Sequence, residues 1–161
     1  MGSWRCHDHH MAKRWAAKPT GPAPAERSAA RVELTRAESL RLLGAAPYGR
    51  LLLSVECLPE AHPVFLAVLD DDVVAVVGPG PELDAATRGD VVALEVDGAE
   101  GCQRETWSVR VTGIARALDP GDPARQAISS SRLGSVVTDD TTLLALPLNL
   151  VRGERTSWAT A

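Results

Sequence analysis

Three short apolar runs separated by tight polar turns constrain this chain more than any other feature of its sequence. They are Arg50–Val55, Pro63–Leu69 and Val73–Val77, parted by a turn over Cys57–Ala61 that contains Pro59 and by the acidic turn Asp70-Asp71-Asp72. Runs this short and this rich in Val, Leu and Ala are read as strands, and the Pro, Gly and Asp between them as strand punctuation. Nearly every position is apolar, where a half-exposed strand would alternate. Both faces are therefore expected to be buried. Short strands joined by tight turns meet that demand best as a barrel whose outside is covered by a helix or by another subunit.

The flanking segments extend the same pattern. Thr35-Arg36-Ala37-Glu38 is a capping box, in which the Thr35 hydroxyl accepts from the Glu38 amide and the Glu38 side chain reaches back. Leu40, Leu42, Leu43 and Ala46 give the following helix an apolar side, and Pro47 stops it. After the third strand, Gly78-Pro79-Gly80-Pro81 breaks the sheet. Pro81 then suits the first position of a short helix that ends at Gly89. Val91–Val96 forms a fourth strand and Asp97–Glu105 a loop. Thr106–Leu118 is a long fifth strand broken at Gly113, and a weaker helix covers Pro123–Ser131. Thr142–Leu150, interrupted by Pro147, is the last strand. The whole predicts a mainly β fold, a barrel of six strands with a few short helices.

Charge divides the chain unevenly. The net charge is −4 over 161 residues, but residues 1–31 carry six Lys and Arg against Asp8 and Glu26. That segment, rich in Ala and Pro and without apolar periodicity, is read as a disordered basic leader, with the barrel domain over 32–161. The acidic remainder argues against nucleic acid as a partner. No apolar run is long enough to span a membrane, and no secretory signal is visible. Cys6, Cys57 and Cys102 are odd in number and widely spaced, so they make no disulfide framework and a cytoplasmic setting is expected. Cys6-His7-Asp8-His9-His10 holds metal-ligand chemistry at poor spacing, and Met11 is an alternative start.

The ordered set of helix, Gly49-Arg50-Leu51, Pro79-Gly80-x-x-Leu83, Ala93-Leu94-Glu95-Val96-Asp97 and Trp107-Ser108-Val109 with Thr112-Gly113 resembles the pyridoxamine 5'-phosphate oxidase-like family. The resemblance covers about residues 33–155. It implies a six-stranded antiparallel split β-barrel with Greek-key-like connections, a homodimer that binds a small-molecule ligand in clefts between subunits, and flavin-dependent oxidoreductase chemistry. FMN is the implied cofactor, with a deazaflavin, a haem-type ligand or none as alternatives. The cofactor-binding positions it implies are Leu66, Val68, Val76, Val77, Gly80, Pro81, Glu82, Leu83, Trp107 and Ser108.

At four of these positions the chain departs from the family pattern. Val76-Val77 stands where an Arg-Thr pair commonly holds the flavin phosphate, and Pro81-Glu82 where a Ser-Lys pair does. A phosphate at a helix N-terminus needs free N–H donors and positive charge. Pro79 and Pro81 each lack an N–H, and Glu82 adds a negative charge. A second reading follows, a cofactor-free barrel dimer with a binding or structural role.

Other chemistry is sparse. His62 stands alone in the folded part and is read as an ordinary strand-start residue, not an assisted general base. Cys57 and Cys102 fall in loops without an activating base, and Asp70–Asp72 and Asp139-Asp140 are read as solvated turns. Trp107 has two equal readings, the edge of a flavin or an anchor for core or dimer. Arg50, Arg110 and Arg116 are alternative phosphate contacts or solvent-facing strand residues.

Overall fold

A computed structural model of the chain describes residues 29–100, 105–138 and 141–158. The Cys6–His10 cluster, Met11, Cys102 and Asp139-Asp140 lie outside the described residues. The elements run β1 (Ala29–Glu33), α1 (Arg36–Ala45), β2 (Tyr48–Val55), β3 (Leu58–Leu69), β4 (Asp72–Val77), α2 (Pro81–Arg88), β5 (Val91–Glu100), β6 (Glu105–Ile114), β7 (Arg116–Ala117), α3 (Pro123–Ser129), β8 (Thr142–Pro147) and β9 (Leu150–Trp158). All strand pairings are antiparallel, in a single curled sheet of order β1-β9-β6-β5-β2-β3-β4-β8-β7. This is the split barrel expected from the sequence, with nine strands where six were expected.

The three extra strands have identifiable causes. β1 is exposed along its whole length and β9 alternates with charged residues, so neither carries the apolar signature that marked the others. Ala29, Ala30 and Arg31, assigned to the leader by composition, pair with Trp158, Ser157 and Thr156. The long fifth strand breaks at Ala115 and not at Gly113, where Ala115 N–H turns to Asp90 O at 2.9 Å. Gly113 stays in the sheet, paired with Val92, and leaves room for Pro147, whose Cδ would stand 3.0 Å from a Cβ there. The supposed loop Asp97–Glu105 is largely hairpin, with Asp97 to Glu100 paired to Ser108 to Glu105.

The turn expected at Cys57–Ala61 is tighter. Glu56 and Cys57 alone make it, both with positive φ (50° and 68°), as a two-residue hairpin turn demands. Pro59 and Pro63 are strand residues. They are tolerated because β4 pairs only with Phe65–Leu69, leaving the first half of β3 with β2 as its one neighbour.

Burial on both faces holds for part of the sheet. Leu51, Leu53, Leu66, Val73, Ala75, Leu94, Val96, Val109, Val111, Leu144 and Leu146 fill the barrel interior. On the outer face of β4 and β8, Val74, Leu143 and Ala145 are covered by Leu118, Ile128 and Leu133, from α3 and its flanks. That cover comes from the same chain. The outer face of β2, β5 and β6 instead alternates with exposed residues, among them Arg50, Val91, Asp97, Arg110 and Ile114.

At the start of α1, Thr35 Oγ1 accepts from Glu38 N at 3.2 Å, one half of the capping box. The Glu38 carboxylate turns instead to Arg155 Nη2 at 3.1 Å, tying α1 to β9. The helix approaches closely there, since a Cβ on Gly153 would meet Ser39 Oγ at 2.4 Å.

Candidate functional site

The C-terminal end of α1, the start of β2 and the inner edge of β6 enclose a cleft of about 340 Å³. Leu42, Ala46, Tyr48, Arg50, Asp97 and Trp107 are among its walls, and Pro63 closes one side. Two glycines shape it. Gly49 lets β2 press on β5, where a Cβ would meet Glu95 O at 2.6 Å. Gly98 lies under the Trp107 ring, where a Cβ would meet Cζ2 at 2.6 Å. The result is a half-buried indole facing a mostly apolar recess, with the ion pair Arg50–Asp97 at its polar edge. Such a recess suits a planar aromatic ligand with a few polar substituents.

Arg132 fixes the helix end that roofs the cleft. Its guanidinium donates to Gly44 O at 3.1 Å, Ala45 O at 3.3 Å, Ala46 O, and Leu66 O at 3.2 Å. These include the carbonyls that a helix C-terminus leaves without partners, and the positive charge suits the helix dipole. Arg132 lies some 86 residues away in the chain, so no local pattern exposes its role.

The α2 end carries a different arrangement. Gly80 caps the helix with φ 147° and no side-chain hydrogen bond, and Pro81 occupies the first turn. Glu82 folds back, its Oε2 lying where a Cβ on Gly80 would be 3.3 Å away. Glu82 Oε1 meets His62 Nδ1 at 2.8 Å, and His62 Nε2 meets Glu60 Oε2 at 2.7 Å. The hydrogen bond to Glu60 raises the His62 pKa above its ordinary value; burial opposes this, and the Glu82 charge and hydrogen bond add to the rise. His62 was read from sequence as unassisted. The pairing across a 20-residue separation is what that reading missed.

The ten positions implied by family resemblance do not form one surface. Leu66 and Val77 are buried in the barrel interior, with Val68 packed against it, and Val76 packs on the outer cluster under α3. Gly80, Pro81, Glu82 and Leu83 gather at the α2 end. Trp107 walls the cleft, while Ser108 projects to the other face of β6 into a polar hollow of about 560 Å³ with Arg110 and Arg152. The two meet only along a shallow rim shared with Asp97 and Gly98.

The three arginines considered as alternative phosphate contacts are all engaged. Arg50 pairs with Asp97, Arg110 donates twice to Glu95 Oε2 at 2.9 and 2.7 Å, and Arg116 pairs with Asp72 and, at 3.5 Å, with Asp122. Asp72 is therefore an ion-pair partner and not a solvated turn residue. Cys57 is free and exposed. Among the described residues no group of three or more His, Cys, Asp or Glu is arranged to hold a metal, and no helix is long and apolar enough to cross a membrane.

The curled antiparallel sheet is a split β-barrel. The model of the pyridoxamine 5'-phosphate oxidase family matches residues 35–155, and the chain belongs to that family. An uncharacterized protein of Mycobacterium tuberculosis is 37% identical over 100 residues, covering 58% of this chain and 66% of that protein, just under two thirds of its length. An FAD-binding protein of Mycobacterium smegmatis superposes with a TM-score of 0.61 at 22% identity, over 78% of this chain and 98% of its own. An FAD-binding protein of Mesorhizobium loti does so with a TM-score of 0.67 at 20% identity, over 81% and 99%. At such identities these structures establish the fold.

Proposed function

We propose that this chain is a homodimeric oxidoreductase component that binds a flavin-type cofactor, FMN, FAD or a deazaflavin, with the ring system against Trp107. The observation that carries this reading is the cleft itself: an indole held in place by Gly98, facing apolar residues of α1 and β2, with Arg50 and Asp97 at its edge. Similarity to FAD-binding proteins supports the same class. A bound flavin supplies the redox-active ring, and the chain's residues orient that ring and exclude water from it. The residues at the α2 end do not fit a phosphate, because Glu82 and Pro81 offer a carboxylate and a missing donor there.

A second reading, a cofactor-free dimer with a binding role, draws on that same closed end and on the pairing of Arg50, Arg110 and Arg116. The deciding experiment is an absorption spectrum of the purified full-length protein, alone and after incubation with riboflavin, FMN, FAD and a deazaflavin. A perturbed, saturable flavin spectrum supports the oxidoreductase reading. Unchanged spectra with all four select the cofactor-free dimer.

A further inference from the structure

Among the described residues, Glu60, His62 and Glu82 form a polar chain. Both imidazole nitrogens face carboxylate oxygens, at 2.7 and 2.8 Å. Only imidazolium donates from both nitrogens, so the geometry is that of a protonated ring bridging two anions. The charged groups facing it are Glu60 from β3 and Glu82 from α2, while its cross-strand neighbour on β2, Leu51, is apolar. The Glu82 side chain is only 16% exposed, unlike a first-turn glutamate that merely faces solvent. Its second oxygen lies over Gly80, where the helix has no side-chain cap.

We infer that His62 is a specificity-determining residue: by gripping Glu82 it holds a carboxylate of the protein across the start of α2, so that this end rejects phosphate. A helix N-terminus attracts anions through its free N–H groups and dipole. Here the attraction is satisfied internally. A phosphate arriving at Gly80 meets the charge of Glu82, which cannot swing away without leaving the His62 Nδ1–H without its acceptor. This rests on the flavin reading for the identity of the ligand, but the clamp itself does not.

Three measurements test it. In histidine NMR of the full chain, the His62 midpoint lies above the ordinary value, and Glu82→Gln lowers it; a midpoint unmoved by Glu82→Gln overturns the clamp. In flavin titrations, the wild type binds riboflavin about tenfold or more tighter than FMN, and both Glu82→Gln and His62→Gln narrow that ratio. A purely structural His62 would change thermal stability without moving the ratio. FMN binding as tightly as riboflavin in the wild type overturns the proposal. Inorganic phosphate is the probe that needs no flavin: its phosphorus resonance stays sharp with wild type and broadens with Glu82→Lys. Phosphate binding to wild type that Glu82→Lys fails to strengthen would also overturn it. If neither flavin binds, the flavin reading fails while the phosphate and NMR results still decide the role of His62.

Discussion

The Trp107 indole occupies the space above Gly98, so that a Cβ on Gly98 would stand 2.6 Å from Cζ2 and 2.7 Å from Cε2. These residues are direct cross-strand partners in the β5–β6 hairpin. The glycine is what lets the ring lie inward along the barrel edge and wall the cleft.

Gly98→Ala therefore forces the indole out. Overpacking of this kind costs about 1–3 kcal/mol, measurable by urea denaturation with near-UV circular dichroism reporting the displaced ring. Gly44→Ala is the control. Nothing lies within 4 Å of a Cβ at that helical position, so it should leave stability unchanged or raise it by up to about 1 kcal/mol.

Arg132→Ala removes the guanidinium from the carbonyls at the end of α1 and from Leu66 O. The residue is exposed, so the expected loss is modest, about 1–2 kcal/mol. Arg132→Lys should recover only part of it, because an ammonium cannot span three or four carbonyls as the planar fork does. Equal stability of the Ala and Lys variants would mean that the fork geometry contributes nothing.

The raised pKa of His62 makes part of the stability pH-dependent. A group protonated more readily in the folded state contributes fully below its unfolded value, ordinarily 6.5, and loses that contribution as pH rises through the raised folded value. The Tm of wild type relative to His62→Gln should thus be highest in mildly acidic buffer and fall as pH rises from 6.5 upward. A difference in Tm constant across that range would contradict the bridging imidazolium.

On the outer face of the sheet, Val91 and Ile114 are cross-strand partners that remain 69% and 60% exposed. Leu150, opposite Thr112 on the neighbouring strand, is exposed beside them. Contiguous apolar surface of this kind is characteristic of an interface. Light scattering at micromolar concentration should give about twice the chain mass of 17.1 kDa, and the double change Val91→Glu, Ile114→Glu should give the single mass. A wild type that scatters as one chain removes the dimer from the account.

The barrel was legible because its interior strands are nearly pure Val, Leu and Ala and are punctuated by Gly, Pro and Asp. β1 and β9 escaped because one is exposed and the other alternates with charge, and their pairing is a tertiary fact. Half of the Thr35–Glu38 box formed; the other half lost to Arg155, a partner 117 residues away. Burial of β4 on both faces is legible in its run of Val and Ala, but the sequence does not reveal that α3 supplies the cover. At the candidate site, Glu82 and Pro81 could be read directly as hostile to phosphate. His62 could not be linked to Glu82, since that contact depends on where the tertiary fold places the start of α2. The packing of Trp107 over Gly98 depends on the β5–β6 register, which no local pattern shows.

The central claim, that a flavin ring stacks against Trp107, is tested most directly by titrating riboflavin into wild type and into Trp107→Ala and Trp107→Phe while following the visible flavin band. Riboflavin carries no phosphate, so closure of the α2 end does not interfere. An aromatic contact is worth about 0.5–1.5 kcal/mol beyond the area it buries, so Trp107→Ala should weaken binding about tenfold or more, and Trp107→Phe by less. Saturable binding to wild type with that order of loss is the expected result. Binding of equal strength in all three proteins, or none in the wild type, would contradict the account.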